Sequence, residues 1–279
     1  MLSAEDAAIA ATISLLLEVS ASPKSGNVDR DHDFEDLKFE DFLISSAAAF
    51  PSFLRAAESK KIGENIFYAV KTSSRWQRAG NVHFGAFLLL IPLLTGWEGR
   101  RGKEVAKIAS ENVKRTTSDD SIYVFKAFKI CKARVLEVEK FSLKDDKTKN
   151  FIVEKNLNLY NWMLLAPKDN LIAKELTEGF KISLKASEKL FNYKNKKEAI
   201  VYTFHELLAS YLDPLILAKF GYEKAVEIKI KASEALKEGI EGFKKLDQEL
   251  LNIKANPGTI ADITASAIFL AICDGWLYA

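Results

Sequence analysis

Between Tyr222 and Lys254 no proline occurs, and apolar or small residues return at steps of three and four: Ala225, Ile228, Ala232, Ala235, Gly239, Phe243, Leu246 and Leu250. That spacing places them on one face of an amphipathic helix, the longest predicted in the chain. Such a stripe has to be buried against other helices or a sheet. The rest of the sequence offers little sheet. Thirteen glycines and six prolines among 279 residues are few against averages near 7% and 5%, and an all-β chain needs many more turns. The reading is an all-α fold, a single multi-helix domain over residues 1–279. No Gly/Ser-rich or Pro-rich linker divides it and no internal repeat is seen.

Ser3 and Asp6 have capping-box spacing and open an alanine-rich helix, which Ser22-Pro23-Lys24-Ser25-Gly26-Asn27 stops. Further helices are predicted near Phe42–Ser59, Gly63–Arg78, Phe84–Leu94, Lys103–Lys114, Asp120–Lys132, Leu157–Leu165, Asn170–Phe191 and Lys197–Tyr211, and a last one from Thr259 to about Leu277. One stretch, 134–155, is β-like. Val135, Val138, Phe141 and Leu143 precede a polar turn, and Phe151-Ile152-Val153 follows it, which predicts a small β-hairpin.

The formal net charge is only +2, which excludes a protein that holds nucleic acid by bulk charge. A hydrophobic share of 48% excludes a mainly disordered chain. Cys131 and Cys273 lack metal-ligand spacing and read as reduced, packed thiols. Glu5 and Asp6 stand where a signal peptide needs basic residues, and Glu18 interrupts the apolar run after them. The run Phe84–Leu94 falls short of the roughly 20 residues that span a bilayer. The expectation is a cytoplasmic protein without a nucleic-acid or membrane partner.

Chemistry in a helical protein sits in the loops between helices. The first polar loop is Pro23 to Arg30, extended by His32, Asp33 and Asp36. Lys24 and Arg30 suit phosphate oxygens, as a point charge and as a bidentate fork. The nearby carboxylates suit Mg²⁺ arriving with a phosphate-bearing substrate; a solvated charged loop is the plainer reading. The second loop is Asn81-Val82-His83-Phe84-Gly85. There Asn81 is a natural N-cap, and His83 beside a helix N-terminus is placed for acid–base work or for a hydrogen-bonded core role. The third is Asn256 to Asp262. Thr259 and Asp262 have capping-box spacing, and the turn at Gly258 can aim backbone N–H groups at a phosphate. A weaker fourth place is Asp213-Pro214 with Lys219 and Gly221, where Asp213 reads as a helix cap. No P-loop, GxGxxG, HExxH or zinc pattern occurs, and His205 reads as structural.

Taken in order, these segments resemble one family. Ser22-Pro23-Lys24, Gly26 and Val28-Asp29-Arg30 come first, then Asn81, His83 and Gly85, then Asp213 with Lys219 and Gly221, then Pro257-Gly258 and Ala261-Asp262. The chain resembles the triphosphoribosyl-dephospho-CoA synthase family, especially its archaeal branch, over nearly its whole length. Asp169, Ile172, Ala173, Glu175 and Phe180 are similar to a helix of that family. The resemblance implies an all-α enzyme that uses ATP with Mg²⁺. It would transfer the triphosphoribosyl group to the 2′-hydroxyl of 3′-dephospho-CoA, a CoA-like acceptor, and release adenine. By motif position His83, Asp33 and Asp213 would be catalytic. Lys24, Asn27, Arg30, Asn81, Lys219, Gly258 and Asp262 would bind nucleotide and phosphate, and Asp33 and Asp36 would hold the metal.

The chain departs from the family pattern in several places. Ser25 stands where many members carry a second proline, Lys219 replaces an arginine, and a glycine-rich segment expected after Cys131 is absent. Two other readings stand beside the first: an ATP-dependent transferase or hydrolase with a different acceptor, and a non-catalytic helical binding protein. Release of adenine against phosphate separates the first of these from the family reaction, and the second predicts that Lys24, His83 and Asp262 lie far apart in space.

Overall fold

In a computed structural model, residues 3–131 and 146–278 are described. Among them fifteen α-helices occur and no strand. The N-terminal part holds α1 (Ala4–Ser20), α2 (Phe39–Ser59), α3 (Gly63–Trp76), α4 (Phe84–Gly96), α5 (Gly102–Lys114) and α6 (Ser118–Cys131). The middle holds α7 (Asp146–Glu154), α8 (Leu159–Met163), α9 (Leu171–Glu178), α10 (Lys181–Leu190) and α11 (Lys196–Ser210). The C-terminal part holds α12 (Pro214–Phe220), α13 (Tyr222–Glu238), α14 (Ile240–Asn252) and α15 (Gly258–Cys273), followed by a 3₁₀ turn at Trp276–Tyr278.

Two helices form the centre. In α4 the sequence FGAFLLLIPLLTG is apolar on every side, and all of its residues but Gly85 are buried. The same holds for α15, which is buried from Thr259 to Ile272 except at Asp262. A helix without a polar face has to be surrounded. These two pack on each other, and α1, α2, α5, α10 and α11 close around them. The small side chains of Ala7, Ala8, Ala10 and Ala11 keep α1 close to its neighbours. One continuous apolar core joins helices from both ends of the chain.

The stripe over Tyr222–Lys254 is buried as predicted, but it lies on two helices. Gly239 breaks the run at φ 66°, a backbone region that glycine enters without steric strain. The turn keeps the phase of the stripe, so Ala225, Ile228, Ala232 and Ala235 continue into Phe243, Leu246 and Leu250. The predicted helix Asn170–Phe191 is likewise two, because Gly179 and Phe180 both take positive φ. Glu175 holds this break. Its buried carboxylate accepts from Ile182 N at 2.7 Å and Ser183 N at 2.8 Å, filling the N-terminus of α10.

The hairpin expected over 134–155 is corrected where it can be seen. Residues 134–145 lie outside the described residues. Phe151-Ile152-Val153 belongs to α7, and Ile152 is fully buried. A short apolar run fits a helix and a strand equally well until its packing decides. Asn81 does not cap α4 either: His83 occupies that position, in a left-handed conformation at φ 62°. No helix among the described residues is long and apolar enough to cross a membrane.

Candidate active site

The segment from Ala21 to Asp29 is a loop, yet nearly all of it is buried. Buried backbone groups need partners, and acidic side chains supply many of them. Asp29 accepts from Lys24 N at 2.9 Å, and Asp247 accepts from Gly26 N at 2.8 Å. Ser25 Oγ lies 2.7 Å from His205 Nε2, and His205 stacks on Phe243 at 3.7 Å between ring centres. Burial pushes His205 down to about 3, so this ring is a neutral packing element.

Lys24 is fully buried. Its ammonium donates to Glu18 Oε1 at 2.5 Å, Asn27 Oδ1 at 3.0 Å and the Val28 carbonyl at 3.3 Å, which uses all three of its protons. Asn27 passes this order on, because its amide donates to Asn256 Oδ1 at 2.8 Å. The end of α1, the buried loop and the turn before α15 are therefore tied together through Lys24.

Opposite them the first turns of α4 and α15 meet. Asp262 lies just past the first turn of α15 and accepts from Ala86 N, at the positive end of α4. A Cβ on Gly85 would come within 2.0 Å of Asp262 Oδ2, so only glycine admits this carboxylate. The carboxyl is pushed well above the usual range, first by burial, then by the like charges of Glu18 and Asp213. Burial also raises Glu18, despite the attraction of Lys24.

Glu18, Asn27, Asn81, His83, Gly258 and Asp262 line one small inner pocket of about 50 Å³. Two buried polar atoms on its lining residues, Asn81 Oδ1 and His83 Nε2, have no hydrogen-bond partner. His83 is pushed down to about 3 by burial and by the Lys24 charge, so it is neutral at physiological pH. Leu37, Asn81, Leu215 and Asn256 are shared with an outer cleft of about 470 Å³, which also carries Glu35, Asp36, Lys219, Phe220 and Lys254. A further cleft of about 490 Å³ is lined by Ser22, Asp31, His32 and Asp247 and shares no residue with these two.

The predicted site residues therefore fall into groups. Asn27, Asn81, His83, Gly258 and Asp262 share the inner pocket, and Asp36 and Lys219 share the outer cleft. Lys24 stands behind the pocket wall. Arg30 is exposed and lines neither cavity. Asp33 accepts from Phe39 N at 2.7 Å and pairs with Lys38 at 3.7 Å, which anchors the start of α2. Asp213 caps two helices at once, accepting from Leu215 N at 2.8 Å, Ile216 N at 3.1 Å and Ile260 N at 2.9 Å. Its carboxylate thus fills the N-terminus of α15, where the sequence suggested a phosphate, and Asp262 is freed from the capping box expected with Thr259. Glu18 is the site residue that sequence reasoning missed. The trace was present, as the one acid in the apolar end of α1.

Among the described residues no group of three or more His, Cys, Asp or Glu side chains is arranged to hold a metal ion. The family model for ATP:dephospho-CoA triphosphoribosyl transferase (CitG) matches residues 4–278. A crystal structure from Archaeoglobus fulgidus, described as a candidate triphosphoribosyl-dephospho-CoA synthase, superposes with a TM-score of 0.75 at 44% identity, covering 84% of this chain and 99% of that one. No curated protein matches the sequence.

Proposed function

The chain belongs to the ATP:dephospho-CoA triphosphoribosyl transferase family, and from that premise we propose which of its residues carry the reaction. The enzyme transfers the triphosphoribosyl group of ATP to the 2′-hydroxyl of 3′-dephospho-CoA and releases adenine. The C1′–N9 bond of ATP breaks and its electron pair leaves with adenine. A bond forms between C1′ and the acceptor oxygen. The hydroxyl proton leaves through a base, and one proton is delivered to adenine.

The observation that supports the assignment is the pocket where four separate segments meet with buried polar atoms still unpaired. Asn81 Oδ1 and His83 Nε2 lack partners in a site lined by Glu18 and Asp262. Unpaired buried polar atoms cost about 1–3 kcal/mol each, a cost that a bound ligand removes. Asp262 is the base for the acceptor hydroxyl. Its carboxyl is held above the ordinary carboxylate range, which makes the ionised form a stronger base for that proton. Asn81 and His83 face the departing adenine. The inner pocket is too small for a nucleotide, so the triphosphate lies in the outer cleft, where Lys219 and Lys254 supply positive charge.

The family's use of ATP implies a divalent cation, and we assign it as Mg²⁺. Two carboxylates line the outer cleft, Asp36 and Glu35, beside the two lysines. This is an oxygen donor set too small to hold the ion alone, and it fits an ion that keeps phosphate oxygens and waters as its remaining ligands. Bound there, the cation would neutralise charge on the triphosphate. Asp33 is spent on α2 and is left out of this set.

Incubation with ATP, Mg²⁺ and 3′-dephospho-CoA should release free adenine, seen by chromatography, in step with a triphosphoribosylated acceptor. Release of ADP and phosphate without adenine would instead favour a hydrolase. Gly85→Ala should lower adenine release by about 100-fold, because an ångström-scale shift of the base ruins the geometry of attack. Unchanged activity in that variant would remove Asp262 from the reacting centre.

A further inference from the structure

His83 lies at the inner end of a short chain of hydroxyl groups. Ser73 Oγ on α3 donates to Ser45 Oγ on α2 at 2.8 Å, and Ser45 Oγ lies 3.1 Å from His83 Nδ1. All three side chains are buried. The ring is held in place by the edge of Phe42 at 4.9 Å and by Phe87 at 5.9 Å. We propose that Ser45 and Ser73 are positioning residues that fix His83 as the neutral tautomer with its proton on Nε2, so that the ring donates a hydrogen bond into the pocket and does not act as a base.

The argument is one of proton counting. A serine hydroxyl has one proton to donate. Ser45 accepts the proton of Ser73, which leaves Nδ1 as the neighbour within reach of its own. A neutral imidazole with an accepting Nδ1 carries its proton on Nε2. That nitrogen is the buried atom without a partner. His205 is arranged the other way. Its Nδ1 lies 2.7 Å from the Val201 carbonyl, which can only accept, so the proton is on Nδ1 and Nε2 is the bare nitrogen, accepting from Ser25 N at 3.4 Å while Ser25 Oγ donates to the Phe243 carbonyl at 3.0 Å. The two buried histidines therefore carry opposite tautomers for reasons visible in their partners. This inference rests on the inner pocket being the reacting centre. There the Nε2 hydrogen faces a ring nitrogen of adenine as the electron pair of the C1′–N9 bond moves onto the base. The bond strengthens as charge develops, no proton leaves His83, and the departing adenine takes its proton from water.

The chain contains three histidines, so a spectrum of protein labelled with ¹⁵N-histidine is readily assigned. At pH 7 His83 should show a protonated Nε2 and a bare Nδ1, with His205 the reverse as an internal control. Ser45→Ala should blur the His83 pattern into a mixture of tautomers. It should lower kcat for adenine release by about tenfold or more while KM for ATP moves by less than about threefold. Ser45→Thr keeps the hydroxyl and should restore both. A wild-type spectrum with His83 protonated on Nδ1 would overturn the proposal, and that spectrum decides alone if Ser45→Ala fails to fold. So would a Ser45→Ala protein whose tautomer and kcat are unchanged. Full adenine release by His83→Gln would overturn the pocket as reacting centre, and with it the donor role, while the tautomer is read separately from the spectrum.

Discussion

Asp262→Asn should lower kcat for adenine release by about 100-fold or more, the range for loss of a positioned general base, with little change in melting temperature. The side chain keeps its shape, and its oxygen can still accept from Ala86 N. What is lost is the ability to take the acceptor's proton. The pH profile carries the same information. Burial, then Glu18 and Asp213, push the Asp262 carboxyl upward. The base works only when ionised, so the wild-type rate should rise as pH passes through a value above the ordinary carboxylate range and vanish below it. In Asp262→Asn that limb should be absent. A variant that kept the wild-type rate and profile would move the base elsewhere, with Glu18 next in line.

Lys24→Met should destabilise the protein by about 3–5 kcal/mol, because it strips the partner from a buried carboxylate. The melting temperature should fall by roughly 10 °C. The size follows from full burial of the ammonium and the 2.5 Å contact with Glu18. The double variant Lys24→Met with Glu18→Gln should recover much of that loss, since no uncompensated charge is left inside. A surface lysine clamping phosphate would behave oppositely: the melting temperature would stay and affinity for ATP would fall. Calorimetry on the two variants, with ATP titration on each, separates the cases.

These two residues also mark how far the sequence could be read. The helices announced themselves through periodicity, and the stripe from Ala225 to Leu250 is the buried face. Helix breaks were harder to read where the stripe keeps its phase, as at Gly239, or where a distant group holds the new start, as Glu175 does for α10. The polar loops stood out by composition, and several of their side chains meet in one pocket. Their depth was not legible. Lysine is rarely fully buried, so Lys24 read as a phosphate contact, and only the surrounding helices reveal that it faces Glu18. From the sequence both Asp213 and Asp262 read as helix-capping acids. The fold distinguishes them by giving one carboxylate three backbone partners and the other a glycine to lean against.

The enclosure of α4 and α15 has a consequence for how such a protein can evolve. Each carries a pocket group at its first turn and the densest part of the core behind it. A substitution at Leu89 or Ile268, both fully buried, therefore changes the foundation of the pocket as well as the packing, so drift there is screened twice. The outward face of α13, with Tyr222 and Ile230 open to solvent, is under neither test. In a lineage that exchanged one acceptor for another, change should accumulate first along the rim of the outer cleft away from its two lysines, at positions such as Phe34 and Phe220. The two central helices would persist as its most slowly changing text.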